Sequence, residues 1–450
     1  MRVLLIQPPL EDFYTTAIRL YPLGLVYAAA VLRTLGVAVG ILDCLNPLRK
    51  KHLPLPPEFR YLEPFLEQDP LLFKRFYRFG ISDAATLRRI DAFAPDMVGI
   101  SSQFTAYFSS VEKLASLIKL HSNVPVFIGG NHASVFADQI RLRAPQIDAV
   151  LTGPAESSLP AFIYSRLRGR GADPEPLDWK TLAPAHDLLA AGAYRMGKKN
   201  YMSLTAGRGC PYGCDFCSVR AMFGRGIEYR SVAAVVREME WNYLNRDVRI
   251  FNFEDDNLSF DKEWFRQLLG AVIDNPILKE IELTAMNGMC FPTLDSALLM
   301  LMRRAGFTRI NLSFVTRDAG LQQRYHRPMP RGDFRSIITA ARELGFMITV
   351  YVIIGLPGQT YAEVKESIDY LLELGVLVGP SPFYLPPGSA LFDTLNVPDK
   401  IRLNWNLYRS TAFAVETEHL RRDQLIELFS YTRKKNLENR LPREPAVQGI

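Results

Sequence analysis

Three of the five cysteines fall within eight residues, in the run Cys210-Pro-Tyr-Gly-Cys214-Asp-Phe-Cys217. Gaps of three and then two residues let three thiolates wrap one face of a metal cluster. A 4Fe–4S cubane ordinarily takes four thiolates, so three would leave one iron open to a substrate or cofactor. Gly207, Gly209 and Gly213 allow the backbone to fold tightly around such a group. Zinc is the competing metal. It needs a fourth ligand, and Cys290, remote in sequence and not part of a second pair, is the thiol that could serve. Unliganded thiols are a third reading, and for Cys290 itself a buried small hydrophobe is the plainer one. A disulfide framework is not packed this way in a cytosolic chain.

A second group of chemically useful residues is Glu254-Asp255-Asp256, which follows the expected strand Val248 to Phe253. Three acids at the carboxyl end of a buried strand suit a site at a barrel mouth. They could equally cap the next helix or face water. Further upstream, four segments follow short apolar runs and are polar or glycine-rich. They are Gln7-Pro8-Pro9, Ser101-Ser102-Gln103-Phe104-Thr105, Gly129-Gly130-Asn131-His132-Ala133-Ser134 and Gly153-Pro154-Ala155-Glu156. Paired glycines permit close approach of backbone to a flat or phosphate-bearing ligand. No Gly-x-Gly-x-x-Gly follows the first strand, so a nicotinamide cofactor is not expected.

The elements that must position these residues alternate strand and helix twice. Residues 1–165 read as a doubly wound, flavodoxin-like α/β (Rossmann-type) domain. Its strands are expected near 3–6, 37–43, 97–101, 124–128 and 149–151, with helices near 22–35 and 110–120. Residues 45–90, rich in proline, aromatics and charge, read as an insertion, and 166–200, with little periodicity, as a linker. Residues 201–385 carry six strand–helix units, with strands at 202–206, 248–253, 281–285, 309–314, 347–354 and 376–383. That pattern implies a partial (β/α)6 TIM-like barrel with ligands at its carboxyl strand ends. Gly306, Gly345 and Gly375 stand where helices 294–305, 334–344 and 361–374 should stop. Residues 386–450 read as a helical region with a basic tail.

Bulk numbers fit an ordinary folded protein. Of 450 residues, 48% are apolar and 22% charged, and Lys+Arg minus Asp+Glu is 53 − 47 = +6. Basic residues gather at 317–335 and 421–443, which reads as a solvated or phosphate-friendly surface; a nucleic-acid partner is not expected. The greasiest stretch, 23–42, is interrupted by Arg33, Thr34 and Gly36, so no membrane span is expected. Nothing at Met1 reads as a signal peptide, and the expected location is cytoplasmic.

The cysteine motif, with Phe216 just before the last cysteine, resembles that of the radical S-adenosylmethionine (SAM) superfamily. The resemblance covers about residues 200–390. It implies a 4Fe–4S cluster on Cys210, Cys214 and Cys217, with SAM on the open iron. Glu254 or Asp255 would meet the methionyl amine, and Asn287 the ribose or carboxylate. Arg327 follows the fourth strand as a family arginine does, and Gly355-Leu-Pro357-Gly358 would pack by the adenine. Where relatives often carry Gly-hydrophobic-Glu-Ser, this chain has Ser313-Phe-Val-Thr316, so Val315 replaces a polar contact. Tyr384, after the sixth strand, could exchange a proton or hydrogen atom, or simply pack with its hydroxyl satisfied.

Residues 1–165 resemble the cobalamin-binding domain that precedes the barrel in one large radical SAM subgroup. Tyr21-Pro-Leu-Gly24-Leu and Gly129-Gly130-x-His132-Ala-Ser are the nearest local matches. The implied cobalamin contacts are Pro8, Gly24, Ser101, Gln103, Phe104, Gly129, Gly130, His132, Ser134, Gly153 and Glu156. The Asp-x-His-x-x-Gly of cobalamin mutases is absent, so a lower corrin face without a histidine ligand is expected. His132 as a hydrogen-bonded loop residue is the plain alternative to its cofactor role.

Together the resemblances imply a cobalamin-dependent radical SAM C-methyltransferase. Hydrogen abstraction from an unactivated carbon would precede methyl transfer from methylcobalamin, with electrons from a flavodoxin- or ferredoxin-type donor. The expected substrate is a peptide or protein residue, or else a small natural product or lipid. A radical cyclase or oxidoreductase, and a corrinoid carrier without turnover, are the alternatives. An RNA-methylthiolating reading fails on Cys44, which cannot supply the second cysteine triad those relatives carry.

Overall fold

The computed structural model describes residues 1–14, 21–69, 71–73, 75–167, 175–327 and 331–440. The first half contains β1 (Arg2–Gln7), β2 (Leu10–Asp12), β3 (Ala38–Asp43), β4 (Lys50–Leu53), β5 (Phe76–Phe79), β6 (Met97–Ser101), β7 (Val126–Gly129) and β8 (Ala149–Val150). Five of them form a parallel sheet in the order β3-β1-β6-β7-β8. This is the flavodoxin-like order, whose ligands lie beyond the carboxyl ends of the strands. The run Val3 to Ile6 is apolar throughout because both faces are covered. Val3 and Leu5 pack with the helix Leu23–Thr34, whereas Leu4 and Ile6 join Val111 and Leu114 of the helix Phe108–His121.

The 45–90 segment is more ordered than its composition announces. β2, β5 and β4 make a small antiparallel sheet, and Phe13, Phe59, Phe73 and Phe76 form an aromatic cluster beside it. Its last part is the crossover helix Asp83–Phe93, which Ser82 caps by accepting from the Ala85 N–H at 3.3 Å. That helix is a regular unit of the doubly wound domain. Of the segment read as a linker, residues 175–200 pack down. Leu182 and Ala185 join the core around the helix Leu23–Thr34, and Asp187 pairs with Arg33 at 2.6 Å.

The second half begins with the hairpin of β9 (Arg195–Met196) and β10 (Lys199–Leu204). It continues through β11 (Gly207–Gly209), β12 (Ile227–Tyr229), β13 (Val248–Phe253), β14 (Glu282–Thr284), β15 (Arg309–Phe314), β16 (Met347–Ile354) and β17 (Leu377–Pro382). β10, β13 and β14 form one parallel ladder and β15, β16 and β17 another. Isolated parallel bridges, Leu283 to Phe307 and Met289 to Leu312, join the two. This is the expected six-stranded partial barrel. Gly306, Gly345 and Gly375 take φ of +111°, +74° and +73° just past their helices, the left-handed conformation that ends a helix at least cost in a residue without Cβ.

The open edge of β17 is covered by the helix Arg422–Arg440. Asn436 accepts from the Val378 N–H at 3.0 Å and donates to its carbonyl at 2.7 Å, so one side chain takes the place of the next strand.

Candidate active site

The cysteines occupy the tip of a long hairpin. β11 and β12 pair antiparallel, Gly207 opposite Tyr229 and Gly209 opposite Ile227, and the cysteine loop lies between them. Gly209 has φ +90°, and a Cβ there would collide with the Gly226 carbonyl, so this turn requires glycine.

The acidic run braces that hairpin. Asp255 is buried and accepts from the backbone N–H groups of Ala206, at 3.1 Å, and Gly207. Burial, helped by its acidic neighbours, raises its carboxyl to about 8 against the pull of those amides. Asp256 accepts from Gly209 N–H at 2.9 Å, and Asn257 donates to the Cys210 sulfur at 3.6 Å. Glu254 follows directly on β13, one residue before Asp255, and makes different contacts. It is half-buried and accepts from Asn252 at 2.6 Å and Ser203 at 3.2 Å. Of the two acids, Asp255 is committed to the backbone, whereas Glu254 is held by side chains alone.

Arg327 approaches from the far side. It donates to the Cys214 sulfur at 3.8 Å and to the Ser313 hydroxyl at 2.6 Å. Ser313, the first residue of the divergent Ser-Phe-Val-Thr segment, thus anchors the arginine, while Val315 is buried. Phe216 packs edge-on to Tyr325 at 5.9 Å, and the Tyr325 hydroxyl donates to the Pro357 carbonyl. Gly355 (φ +95°) and Leu356 both donate to the Gln359 side chain at 2.9 Å, which holds the Gly355–Gly358 turn in place. Asn287 is exposed after β14, and Tyr384 is half-buried after β17.

The donor set fits a cluster. Cys214 is buried and Cys210 and Cys217 are partly accessible. Burial raises the Cys214 thiol despite Arg327 and pushes Cys217 up to about 11, so metal must displace protons to bind. Asn257 and Arg327 supply the N–H···S contacts that stabilise thiolate clusters. Cys290 also lies here, against Tyr212 and Arg327. Among the described residues no three His, Cys, Asp or Glu side chains could hold a single metal ion. A cubane instead spreads its thiolates over separate irons.

The carboxyl edge of the parallel sheet divides into open and committed residues. A Cβ at Gly24 or Gly153 would meet nothing within 4 Å, and one at Gly129 only Leu151 at 3.9 Å. Ser101 and Phe104 are partly exposed and Gln103 is exposed, whereas Pro8 is buried. This low, small-residue ledge fits a broad flat ligand such as a corrin. Gly130 (φ +123°) shapes its turn, since a Cβ there would stand 2.7 Å from the Ser102 carbonyl. Ser134 staples two loops, donating to Gly130 O and accepting from Gly153 N–H, both at 2.9 Å.

His132 is only 1% exposed. Its Nδ1 meets Thr105 at 3.1 Å, and Phe108, Phe136 and Trp405 surround the ring. Burial drives its pKa down to about 3, so it is a neutral packing residue, the plain alternative above. Glu156 is buried and pairs with Arg208 at 3.0 Å.

That pair joins the two halves, because Arg208 belongs to the hairpin that carries the cysteines. Its guanidinium also lies 4.3 Å over the Trp179 ring and 4.9 Å over Tyr27. Beneath runs a buried chain from Tyr21 to His186 (2.6 Å), His186 to Glu238 (2.8 Å) and Glu238 to Arg230, which donates to the Thr205 carbonyl at 3.2 Å. Sequence reading missed Arg208, Arg230, Glu238 and His186; nothing in their spacing marks them as partners.

Comparison with known proteins agrees with this arrangement. Residues 204–371 match the radical SAM superfamily and residues 65–163 the B12 binding domain. A B12-binding domain followed by a radical SAM domain supports a cobalamin-dependent radical SAM enzyme, with a 4Fe–4S cluster, SAM and cobalamin as cofactors. It is 28% identical over 440 residues to cytidylyl-2-hydroxyethylphosphonate methyltransferase of Streptomyces wedmorensis, covering 83% of this chain and 77% of that one. It is 26% identical to hopanoid C-3 methylase of Methylococcus capsulatus, over 60% of this chain and 55% of that one. Its fold is similar to that of the radical SAM methyltransferase TsrM from Kitasatospora setae, solved with cobalamin and a 4Fe–4S cluster. The TM-score is 0.68 at 16% identity, covering 96% of this chain and 90% of that one. No helix among the described residues is long and apolar enough to cross a membrane.

Proposed function

We propose that this enzyme is a C-methyltransferase that works on one substrate placed between the cysteine hairpin and the glycine ledge. The observation that carries this reading is the partly buried Arg208–Glu156 pair at 3.0 Å, which ties the hairpin to the helix after β8. When bound, the cluster and SAM supply a hydrogen-abstracting radical and the corrinoid supplies the methyl group.

The chain's own residues bind and orient. Cys210, Cys214 and Cys217 hold the cluster, with Asn257 and Arg327 donating to its sulfurs. Glu254 takes the methionyl amine, Asn287 the ribose or carboxylate, and the Gly355–Gly358 turn the adenine. Gly24, Gly129, Gly153, Ser101, Gln103 and Phe104 face the corrinoid. Holding both groups against one substrate makes the two encounters effectively intramolecular. Tyr384 walls the pocket.

A small-molecule substrate is favoured over a peptide residue, because the relatives named above act on a cytidylylated phosphonate and, by name, a hopanoid. The electron donor is a flavodoxin- or ferredoxin-type carrier, and exposed Arg220, Arg225 and Arg324 around the cysteine loop suit an acidic one.

The second reading, a radical cyclase, is supported by a 22% identical anaerobic magnesium-protoporphyrin IX monomethyl ester cyclase of Rubrivivax gelatinosus. Product analysis separates the two. Methyl transfer yields S-adenosylhomocysteine and 5′-deoxyadenosine together, whereas 5′-deoxyadenosine alone would reject the methyltransferase reading. Replacing any one of Cys210, Cys214 or Cys217 with alanine should reduce 5′-deoxyadenosine to background; cleavage at the parent rate would remove these residues as ligands.

A further inference from the structure

Residues 404–413 lie beyond the barrel in sequence, yet they are built into the other half of the molecule. Trp405 is buried, its ring centroid 4.7 Å from that of His132, 5.1 Å from Phe108 and 5.0 Å from Phe136. Arg143 stacks over the same ring at 4.7 Å. Four residues on, buried Arg409 donates to the Glu11 carbonyl at 2.6 Å and to the Ala106 carbonyl, and it pairs with Asp12 at 3.3 Å. Asp12, itself 3% exposed, also accepts from the Tyr107 hydroxyl at 2.6 Å and the Thr411 hydroxyl at 3.0 Å. The Tyr61 hydroxyl donates to the Ala412 carbonyl at 2.7 Å.

Three of these anchor points follow strands of the parallel sheet at its carboxyl edge. Glu11 and Asp12 follow β1, Ala106 and Tyr107 follow β6, and His132 follows β7. Three of the five strand-end loops are therefore gathered by one segment from the far end of the chain. Gln103 and Phe104 lie between β6 and the clamped turn Thr105–Tyr107, so the position of Ala106 fixes how they present themselves. A segment that served stability alone would do as well with apolar contacts, since a buried ion pair is a poor source of net stability. What a fully hydrogen-bonded Arg–Asp pair supplies is a unique geometry.

We propose that residues 404–413 are a clasp that sets the corrinoid ledge, with Arg409, Asp12 and Trp405 as positioning residues for cobalamin. This rests on the reading that the ledge holds cobalamin.

The test uses the full chain with its cluster reconstituted without oxygen, titrated with hydroxocobalamin and followed by the corrin absorbance. Arg409→Met keeps the length of the side chain and removes the charge and the donors. It is expected to weaken cobalamin binding by about 10- to 100-fold, as loss of an orienting partner does at metal sites. Iron content of the cluster-loaded protein should stay near the parent's, while its thermal midpoint falls because Asp12 is left buried without its cation. Arg409→Lys, which restores the charge without the forked geometry, should fall between the two. Equal affinity in parent and Arg409→Met overturns the clasp, and so does a joint loss of cobalamin and cluster, which marks a merely structural segment. Should Arg409→Met fail to fold, Thr411→Val and Trp405→Phe carry the same test with weaker binding expected, and parental affinity in both overturns it. A parent chain that binds no cobalamin would instead defeat the underlying reading.

Discussion

At the residue scale, chemistry at the cysteine hairpin depends on which side chains are free to face a ligand and which are already engaged. The cysteine triad and the acidic run were legible from type and spacing. Their division of labour was not, because it depends on which backbone N–H each carboxylate finds, and only the fold brings Ala206 and Gly207 to Asp255. Ser313 was read only as the start of a divergent motif; its bond to Arg327 gives that divergence a purpose. His132 shows the same limit, since a histidine after a Gly-Gly pair invites a ligand role until its aromatic surroundings are seen. Its pKa is lowered from 6.5 to about 3. The folded state therefore resists a proton that the unfolded chain accepts, so the stabilising contribution is present above pH 6.5 and is lost as pH falls towards 3. His132→Gln should lose less thermal stability between pH 6.5 and 4 than the parent does; equal losses would contradict the assignment. In the same vein, the parent's bound Co(II) should show no nitrogen splitting from His132 in its electron paramagnetic resonance spectrum.

At the scale of elements, both strand series and the helix-ending glycines were readable because each rests on local signals, an apolar run or a residue suited to positive φ. Residues 45–90 and 175–200 were not readable. Their order comes from contacts with distant partners, such as Phe13 on Phe73 at 4.4 Å and Asp187 on Arg33, which leave no periodicity behind. Asn436 is a comparable case on the open edge of β17, where it satisfies both backbone groups of Val378. Asn436→Ala should cost about 1–3 kcal/mol, read as a lower urea midpoint, because a backbone donor and acceptor lose their partner together. An unchanged midpoint would mean that water serves that edge as well.

The whole molecule is two α/β units; Arg208 ties the cysteine hairpin to Glu156 after β8, and Arg409 ties the segment beyond the barrel to Asp12. Neither tie shows in the sequence, since the partners lie 52 and 397 positions apart (208 − 156 and 409 − 12). If Arg208 sets the spacing between the two edges, Arg208→Met should leave SAM cleavage largely intact while methyl transfer falls. The ratio of 5′-deoxyadenosine to S-adenosylhomocysteine would then rise. A parallel fall of both products would mean that the pair supports the hairpin alone. The central claim is that one chain holds a cluster and a corrinoid together, and metal and corrinoid analysis of protein purified without oxygen from cobalamin-fed cells tests it most directly. The account predicts a stoichiometric corrinoid alongside a cubane's iron and sulfide; an intact cluster that cleaves SAM with no corrinoid retained or taken up would contradict it.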